Sequence, residues 1–429
     1  MRMSFPLATR LVQGGAVCLL GAMVFVGCSN PMRAKAPGGG SATSTTGLTA
    51  TGGFQPVTIN LGLGGRFGTG GVLGFGGSSS SGGAVSTGGA GSTSTTECTA
   101  GRCLVTLASG RERVWPGVAV DDASVYWTEH PGWYVLWPGD VDGRVMKVPA
   151  DGGAPTTLAS RQDFPSFIRV DATSVYWTTY YEGMSGELYR NGYAMVMRLP
   201  LDSSEPSTVA SIWLSPGGSS SDRRFGGIAM DATSVYWAYE GMSRSDYVDG
   251  SILRASLADG SFTTLASEQW RPYQIEVDGS SVYWVNGTSQ DDTDTTLMKM
   301  PLAGGAVTTL DASPSGHRAI ALDATCVYWT SSDGTVMKIP LEGGTPVTIA
   351  SGQPDPGYIA VDATSVYWVN WGDATIMKLP LEGGMPTMLV SGQPLIRALA
   401  VDARSVYWTT LGTPDNEYKD GTVMKLTPK

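Results

Sequence analysis

Hydrophobic and polar residues alternate most clearly in a short segment that recurs seven times along the chain. One copy reads VDATSVYWTT, residues 170–179, and near copies begin at residues 120, 230, 277, 322, 361 and 401. Because side chains alternate along a strand, Val and Trp of SVYWT point to one face and Tyr and Thr to the other. Large apolar side chains on both faces predict a strand that is buried on both sides. This excludes an open sheet with one solvated face.

An aspartate near the start of each copy marks a repeat of variable length. Successive copies of this residue are 39 to 60 residues apart, a spacing typical of propeller blades and solenoids. In the fifth copy, RAIALD, ATCVYWTS, GTVMKIPL and PVTIAS predict four short strands separated by turns. No copy has room for a crossover helix, so we expect antiparallel neighbours. The seven aspartates are Asp121, Asp171, Asp231, Asp278, Asp323, Asp362 and Asp402.

The two ends of the repeat region complement each other. The last copy ends in GTVMKLTPK and lacks a fourth strand, while the first is preceded by an extra strand, LVTLAS, at residues 104–109. Pairing the two removes the raw edges of a ring. The sequence therefore predicts an all-β fold, a seven-bladed β-propeller of four-stranded antiparallel blades, closed by the N-terminal strand 104–109, which completes the last blade.

The repeat also resembles a known family. GTVMKIPLEGGTPVTIASGQPDPGYIAVDATSVYWVN, residues 334–370, resembles the YWTD repeat of low-density lipoprotein receptor-type (class B) propellers and of secreted bacterial propellers with that pattern, and the likeness spans residues 104–429. It implies the architecture but not receptor activity, because that family usually has six blades with adjoining cysteine-rich modules. Its final Asp is also replaced here, by Glu129, Thr179, Tyr239, Asn286, Ser331, Asn370 and Thr410.

The N-terminal region predicts export. Arg2 and Arg10 flank the start of an apolar run, residues 11–26, followed by Gly27 and Cys28. This resembles a bacterial lipobox, so residues 1–27 are read as a lipoprotein signal peptide and Cys28 as the lipidated residue; a plain signal peptide or an uncleaved anchor is the alternative. Ser29, in place of an inner-membrane retention aspartate, favours the outer membrane.

Composition divides the rest of the chain into a tether and a folded body. Residues 28–97 are rich in Gly, Ser and Thr and predict a disordered tether, whereas residues 98–429 hold the propeller. In an exported protein, Cys98 and Cys103 favour a small-loop disulfide over two free thiols, and Cys326 is expected to be a buried, inert thiol.

Charge limits the classes of partner. The whole chain carries −10; residues 1–97 contribute five positive and one negative side chains, which leaves −14 for the remainder. An acidic body excludes nucleic acid and electrostatic adhesion to a membrane, so membrane contact is expected through the lipid anchor only. We expect a monomer with no cofactor and no metal site.

The two ends of the predicted ring differ. The loops joining strands 2 to 3 and 4 to 1 of each blade lie at one end, here called the aromatic end, and they vary in length. All Trp and Tyr outside the YW pairs fall there, which predicts a binding surface; the alternative is that long loops need small cores of their own. The aromatic candidates are Trp115, Trp133, Tyr134, Trp137, Tyr180, Tyr181, Trp270, Tyr273 and Tyr358.

Charged residues near the axial opening add a second group of candidates. Arg169 and Glu276 replace the Ala that is usual at that position of the inner strand, so they are expected to face the channel or to pair. Together with Arg224, Arg318 and Arg397, the arginines form a local cluster for an anionic group; solvated loop charge is the alternative.

Signals for catalysis are few. His130 and His317 are the only histidines, and no Gly-x-Ser-x-Gly, zinc-type Cys/His pair or complete calcium loop occurs. The sequence favours a binding or scaffolding propeller, anchored at the cell envelope, that recognises a glycan, peptide or protein at the aromatic end. The alternative is a hydrolase or lyase acting on an anionic substrate in the axial pocket, with His317 or His130 as base.

Overall fold

A computed structural model describes residues 95–99, 101–130, 143–185, 189–214, 223–242, 249–287, 295–393 and 395–429. The predicted signal peptide, the lipidation site Cys28 and residues 28–94 of the predicted tether lie outside the described residues. Strand β1 begins at Thr95, three residues before the predicted start of the propeller at residue 98. Within the described part of the chain, no helix is long and apolar enough to span a bilayer.

Seven antiparallel sheets follow one another along the chain, which confirms the predicted seven-bladed propeller. Blades 1 to 3 consist of β3 to β6 (Val114–Val120, Ser124–Glu129, Gly143–Pro149, Thr156–Gln162), β7 to β10 (Ile168–Val170, Ser174–Ser185, Tyr189–Pro200, Ser207–Leu214) and β11 to β14 (Arg223–Met230, Ser234–Met242, Gly250–Ser256, Phe262–Gln269). Blades 4 and 5 consist of β15 to β18 (Pro272–Val277, Ser281–Gly287, Thr295–Pro301, Thr308–Asp311) and β19 to β22 (Ala319–Leu322, Cys326–Thr330, Val336–Pro340, Val347–Ala350). Blade 6 consists of β23 to β26 (Pro356–Val361, Ser365–Asn370, Thr375–Pro380, Thr387–Val390).

Blade 7 is built from both ends of the chain. It contains β27 (Ile396–Val401), β28 (Val406–Thr410), a short 3-10 helix (Pro414–Asn416), β29 (Gly421–Thr427) and, paired with β29, the N-terminal strand β2 (Arg102–Arg111). The predicted closing strand 104–109 lies inside β2, so the predicted ring closure is confirmed. Strand β1 (Thr95–Thr99) adds a fifth strand outside β2, and a disulfide joins the facing residues Cys98 and Cys103, whose Cα atoms are 4.0 Å apart.

The YW pairs join each blade to the next. Tyr126 of blade 1 lies in the same buried cluster as Trp177 of blade 2, and Tyr407 of blade 7 lies with Trp127 of blade 1. The other five pairs repeat this order around the ring. Each of these rings is at most 2% exposed. Burial of one such ring contributes about 4 to 6 kcal/mol before conformational entropy is counted.

The repeat aspartates fix the tyrosines of these pairs. One oxygen of Asp121 accepts hydrogen bonds from the backbone N–H groups of Ala123 and Ser124 (2.8 and 2.7 Å), and the other accepts one from the Tyr126 hydroxyl (2.7 Å). All seven copies repeat this pattern, here called the Asp–Tyr latch. The aspartates therefore cap turns, as their sequence context predicts.

Cations of the third strands cover the latched tyrosines and reach the next blade. Lys299 Nζ lies 5.6 Å from the centre of the Tyr283 ring and donates a hydrogen bond to the Leu341 carbonyl of blade 5 (2.8 Å). Lys425 does the same between Tyr407 and the Ala150 carbonyl of blade 1. At these two contacts between blades, tyrosine, aspartate and cation thus form a polar tie beside the apolar contact.

We expect Asp121→Ala to lower the free energy of unfolding by about 1–3 kcal/mol, because three donors lose a shared acceptor. Asp122→Ala is the matched control: Asp122 is exposed in the same turn, and five of the other six copies have Ala at that position. Urea unfolding followed by tryptophan fluorescence measures both values. Equal effects of the two substitutions would contradict a structural role of the latch.

The latches also predict how stability depends on pH. Burial alone would raise the pKa of Asp362, but hydrogen bonds from Lys429, Thr364 and their neighbours lower it to about 2. Since this pKa is below that of the unfolded chain, the carboxylate stabilises the fold above about pH 4, and this contribution is lost as the pH falls toward 2.

We therefore expect Asp362→Asn to be less stable than the wild type by a constant amount at neutral pH. The difference in free energy of unfolding should shrink between about pH 4 and pH 2. Urea titrations at several pH values measure this difference. A difference that stays constant down to pH 2 would show that ionised Asp362 does not act as described.

Candidate functional site

A cavity of about 370 Å³ lies along the axis of the ring and is here called the axial pocket. The first strands of all seven blades, β3, β7, β11, β15, β19, β23 and β27, line it. This volume lies within the usual range for pockets that hold small molecules. The axial pocket is therefore the first place to look for a ligand site.

Small residues keep most of the wall open at one level. Two positions before each repeat aspartate, five blades have Ala. Ala119, Ala321, Ala360 and Ala400 line the pocket, whereas Ala229 is buried in the contact between blades 3 and 4. Blades 2 and 4 have Arg169 and Glu276 there instead, and both side chains line the pocket. These two charged residues distinguish the side of the pocket at blades 2 and 4 from the rest of the lining.

Arg169 and Glu276 form an ion pair across the front of blade 3. Arg169 Nη2 lies 3.0 Å from Glu276 Oε1, and the side chains are 36% and 29% exposed to the channel. Between them, Gly227 is the residue of blade 3 that lines the pocket, and it leaves room for the pair. Burial raises the pKa of Glu276, and the positive charge of Arg169 opposes that shift. Glu276 Oε2 is left for a ligand donor, since the pair is joined through Oε1.

Bulges at the start of the first strands bring further polar side chains into the pocket. The pairing register shifts before Val118, Ile228, Ile275 and Ile359 of blades 1, 3, 4 and 6, and at the equivalent place in blade 7. A bulge adds an unpaired residue and re-aims its side chain. Gln274, Tyr358 and Arg397 lie in these shifts and line the pocket. In blades 1 and 3 the shifts contain glycines.

Gln274 adopts a backbone conformation that favours glycine. Its φ angle is 46°, in the left-handed region. Gly117 and Gly227 occupy the same sequence position in blades 1 and 3, although their own φ angles lie outside that region. A non-glycine residue in the left-handed region is unfavourable by about 1–2 kcal/mol. Backbone strain of this kind is concentrated at functional sites. Of the non-glycine residues with positive φ in the described part of the chain, Gln274 is the one that lines the axial pocket, so its amide is a candidate for ligand contact.

Tyr358 lies across the pocket from the ion pair, beside Arg397. Burial raises the pKa of Tyr358 to about 12, and the positive charge of Arg397 opposes that shift. The phenol is therefore neutral and able to donate at neutral pH. Within the described part of the chain, neither the Tyr358 hydroxyl nor the Gln274 amide forms a hydrogen bond.

An aromatic surface adjoins the pocket mouth. The Trp371 ring meets Tyr358 edge-on at 5.5 Å, donates a hydrogen bond from Nε1 to the Ile396 carbonyl (3.3 Å) and is 39% exposed. Arg318, which forms an ion pair with Asp355, lies 5.6 Å from the centre of the same ring. A Cβ atom at residue 357 would come within 2.4 Å of the Trp371 ring, so this approach requires glycine. These contacts fix the ring before a ligand arrives.

The structure brings some of the predicted residues together and separates others. Arg169, Glu276, Tyr358 and Arg397 share the axial pocket, Arg318 lies at its mouth, and Trp270 is 42% exposed in the loop before β15. Trp115, Tyr181 and Arg224 lie on β3, β8 and β11. The predicted residues Trp133, Tyr134 and Trp137 lie outside the described residues.

Two predicted tyrosines have packing roles instead. Tyr180 is buried and packs near Phe164 at 6.2 Å, which fits the alternative of small cores within the loops. The Tyr273 hydroxyl donates a hydrogen bond to the His317 carbonyl and so joins blades 4 and 5. Neither residue lines the axial pocket.

The two histidines also lie outside the pocket lining. His317 is fully buried; its Nδ1 is 2.8 Å from Thr295 Oγ1 and its Nε2 is 3.0 Å from Asp311 Oδ2. Burial alone would raise the pKa of Asp311, but hydrogen bonds from His317 and Ser313 hold it below its ordinary value. His317 therefore links blade 4 to the first strand of blade 5. The half-buried ring of His130 stacks on Phe164 at 4.4 Å.

Sequence reasoning missed Gln274 and Phe167, which also lines the pocket. The signal was a second set of equivalent positions, four before each repeat aspartate. Blades 2, 4 and 6 have large residues there, whereas the other blades have Gly or Ala; the seven residues are Gly117, Phe167, Gly227, Gln274, Ala319, Tyr358 and Ala398. In the described residues, no group of three or more His, Cys, Asp or Glu is placed to hold a metal ion.

Comparisons with known proteins establish the fold alone. No protein-family model and no curated protein sequence matches the chain. An oligogalacturonate lyase in complex with manganese is similar at a TM-score of 0.56 and 12% identity, covering 79% of this chain and 97% of that one. An oligogalacturonate lyase from Vibrio parahaemolyticus has a TM-score of 0.53 and 9% identity, covering 78% and 96%. A chain of a nidogen/laminin complex has a TM-score of 0.43 and 15% identity, covering 59% and 91%.

We expect His317→Ala to lower the free energy of unfolding by about 2–4 kcal/mol, because it leaves a cavity and a buried Asp311 without its partner. His130→Ala, which removes a half-buried ring, should cost less than about 1 kcal/mol. Urea unfolding of both variants measures the difference. A His317→Ala protein as stable as the wild type would contradict the linking role.

Proposed function

We propose that the protein is a binding propeller displayed at the cell envelope, which holds a glycan, peptide or protein at its aromatic end. One group of the ligand enters the axial pocket, and the remainder lies on the exposed rings of Trp371 and Trp270. The observation that carries this proposal is the combination of three features that the repeat does not require: the fixed Trp371 ring at the aromatic end, the polar bulge residues of the first strands, and the ion pair deeper in the axial pocket.

The opposite end supports the same assignment by contrast. Its loops are the seven Asp–Tyr latches and the glycine turns between third and fourth strands, and their polar groups are used in capping and in ties between blades. A surface built for recognition differs from blade to blade, whereas this end repeats. We therefore place the ligand at the aromatic end.

The N-terminal region gives the proposed location. Lipidation of Cys28 would anchor the chain, and outer-membrane attachment follows from Ser29 in the second position. A Gly/Ser-rich coil of about 70 residues has an r.m.s. span of roughly 45 Å, enough to hold the propeller away from the lipid surface. The acidic propeller itself would not adhere to an anionic membrane.

Binding is better supported than catalysis. A hydrolase or lyase needs a base that reaches the substrate, but His317 is fully buried with both ring nitrogens engaged. Two similar structures are named as oligogalacturonate lyases. At sequence identities of 9% and 12%, this likeness supports a shared fold and not a shared reaction. Neither histidine that the sequence offered as a base lines the axial pocket, and the one carboxylate of the described lining, Glu276, is joined to Arg169.

The test is capture of envelope components by the full-length chain, extracted in detergent and tagged at its C-terminus. We expect Trp270→Ala/Trp371→Ala to reduce the amount captured at least tenfold, because exposed aromatic anchors dominate binding. Met385→Ala/Met388→Ala is the control; these side chains are 81% and 55% exposed on blade 6, away from the pocket mouth.

The two double variants remove comparable apolar surface, and urea unfolding checks that both retain the fold. Equal capture by both variants and the wild type would overturn the assignment of the aromatic end. Loss of capture in the methionine variant alone would move the site to the outer side of blade 6.

A further inference from the structure

We propose that the axial pocket binds a small hydroxy-carboxylate, with its carboxylate against Arg397 and Tyr358 and its hydroxyl groups against Gln274 and Glu276. This inference rests on the proposed binding function and names the chemical class of the group that enters the pocket. It follows from three features of the lining: its charge, the division of donors and acceptors between its two sides, and its apolar wall.

The charge of the lining favours a ligand with one negative charge. The charged residues that line the pocket are Arg169, Glu276 and Arg397, so positive charges exceed negative ones by one. A carboxylate balances this excess, and its planar oxygens suit a guanidinium group. An ammonium group would meet both arginines, so a zwitterion such as an amino acid fits less well. A phosphate dianion would exceed the charge that the lining offers.

The two sides of the pocket offer different hydrogen-bonding groups. On the side of blades 6 and 7, the Tyr358 hydroxyl and the Arg397 guanidinium are donors, which suits the oxygens of a carboxylate. On the side of blades 2 and 4, Glu276 Oε2 is an acceptor and would repel a second carboxylate. That acceptor suits a neutral hydroxyl, which donates to Glu276 and also accepts from Arg169.

Gln274 lines the pocket from blade 4, two residues before Glu276. Its amide both donates and accepts, so it matches a hydroxyl group in either sense. The chain keeps this side chain at a φ of 46°, where two other blades have glycine. Phe167 and the alanines supply an apolar wall for the carbon chain of the ligand. A hydroxy-carboxylate presents the same combination of one charged end, several hydroxyls and a carbon backbone.

The test uses isothermal titration of the full-length chain with three probes at pH 7. D-gluconate has a carboxylate and a row of hydroxyl groups, D-glucitol has the hydroxyl groups without the carboxylate, and inorganic phosphate is an anion without a carbon chain. We expect gluconate to bind at least tenfold more tightly than glucitol or phosphate. The proposal is overturned if glucitol binds as tightly as gluconate, or if phosphate binds more tightly than gluconate. It is also overturned if gluconate at a 50-fold molar excess over millimolar protein shows no binding.

Variants of the lining locate the gluconate site. We expect Tyr358→Phe to weaken gluconate binding about three- to tenfold, because it removes one hydroxyl donor and keeps the ring. Arg397→Gln should weaken it more than twentyfold. Gln274→Gly restores the residue found in two other blades, so the fold is retained while the amide is lost. Met388→Ala on the outer strand of blade 6 is the control and should leave gluconate binding unchanged.

The outcomes separate this inference from the proposed function. If gluconate binding survives in the Tyr358→Phe, Arg397→Gln and Gln274→Gly proteins, the axial pocket is not its site and the inference is wrong. Capture of envelope components through Trp270 and Trp371 can persist in that case, which leaves the proposed function standing. If instead the wild type binds gluconate through these residues but captures no envelope component, the inference stands and the proposed function is wrong.

Discussion

The contact between the tyrosine of one blade and the tryptophan of the next is the interaction on which the ring depends. Alternation along SVYWT places the two rings on opposite faces of every blade, so each blade presents a Tyr face to one neighbour and a Trp face to the other. The Asp–Tyr latch then fixes the tyrosine and caps the turn before its strand. Contacts between neighbouring blades are therefore sufficient to build the ring, and β2 closes it by pairing with β29 in blade 7.

Because the second strands and the latch turns make the contacts between blades, the sequence at the start of each first strand can vary. The buried second strands are nearly identical in all blades, whereas the bulged positions range from glycine to Tyr358 and Arg397. A channel lined by small residues would form without the ion pair of Arg169 and Glu276, and burying such a pair is seldom stabilising by itself. The departures from the repeat, not the repeat, therefore make the candidate site.

The fold was predictable because its determinants are local and repeated: alternation, turn aspartates and matching ends. Arg169 and Glu276 were also predictable, since regular alternation extends back to their position in the first strand. Beyond it, a bulge breaks the alternation at Gln274, and Phe167 precedes the first residue of β7, so alternation did not assign either residue to the channel. The environment of His317 was hidden for another reason, because Thr295 and Asp311 come from the preceding blade.

The central claim is that these departures serve a ligand and not the ring. The most direct test is the free energy of unfolding of an Arg169→Ala/Glu276→Ala/Gln274→Gly variant, which restores the residues that other blades have at the same positions. We predict a value within about 1 kcal/mol of the wild type, or above it, because a partly buried ion pair and a strained backbone are removed together. A loss of several kcal/mol would contradict the claim and assign these residues to the structure of the ring.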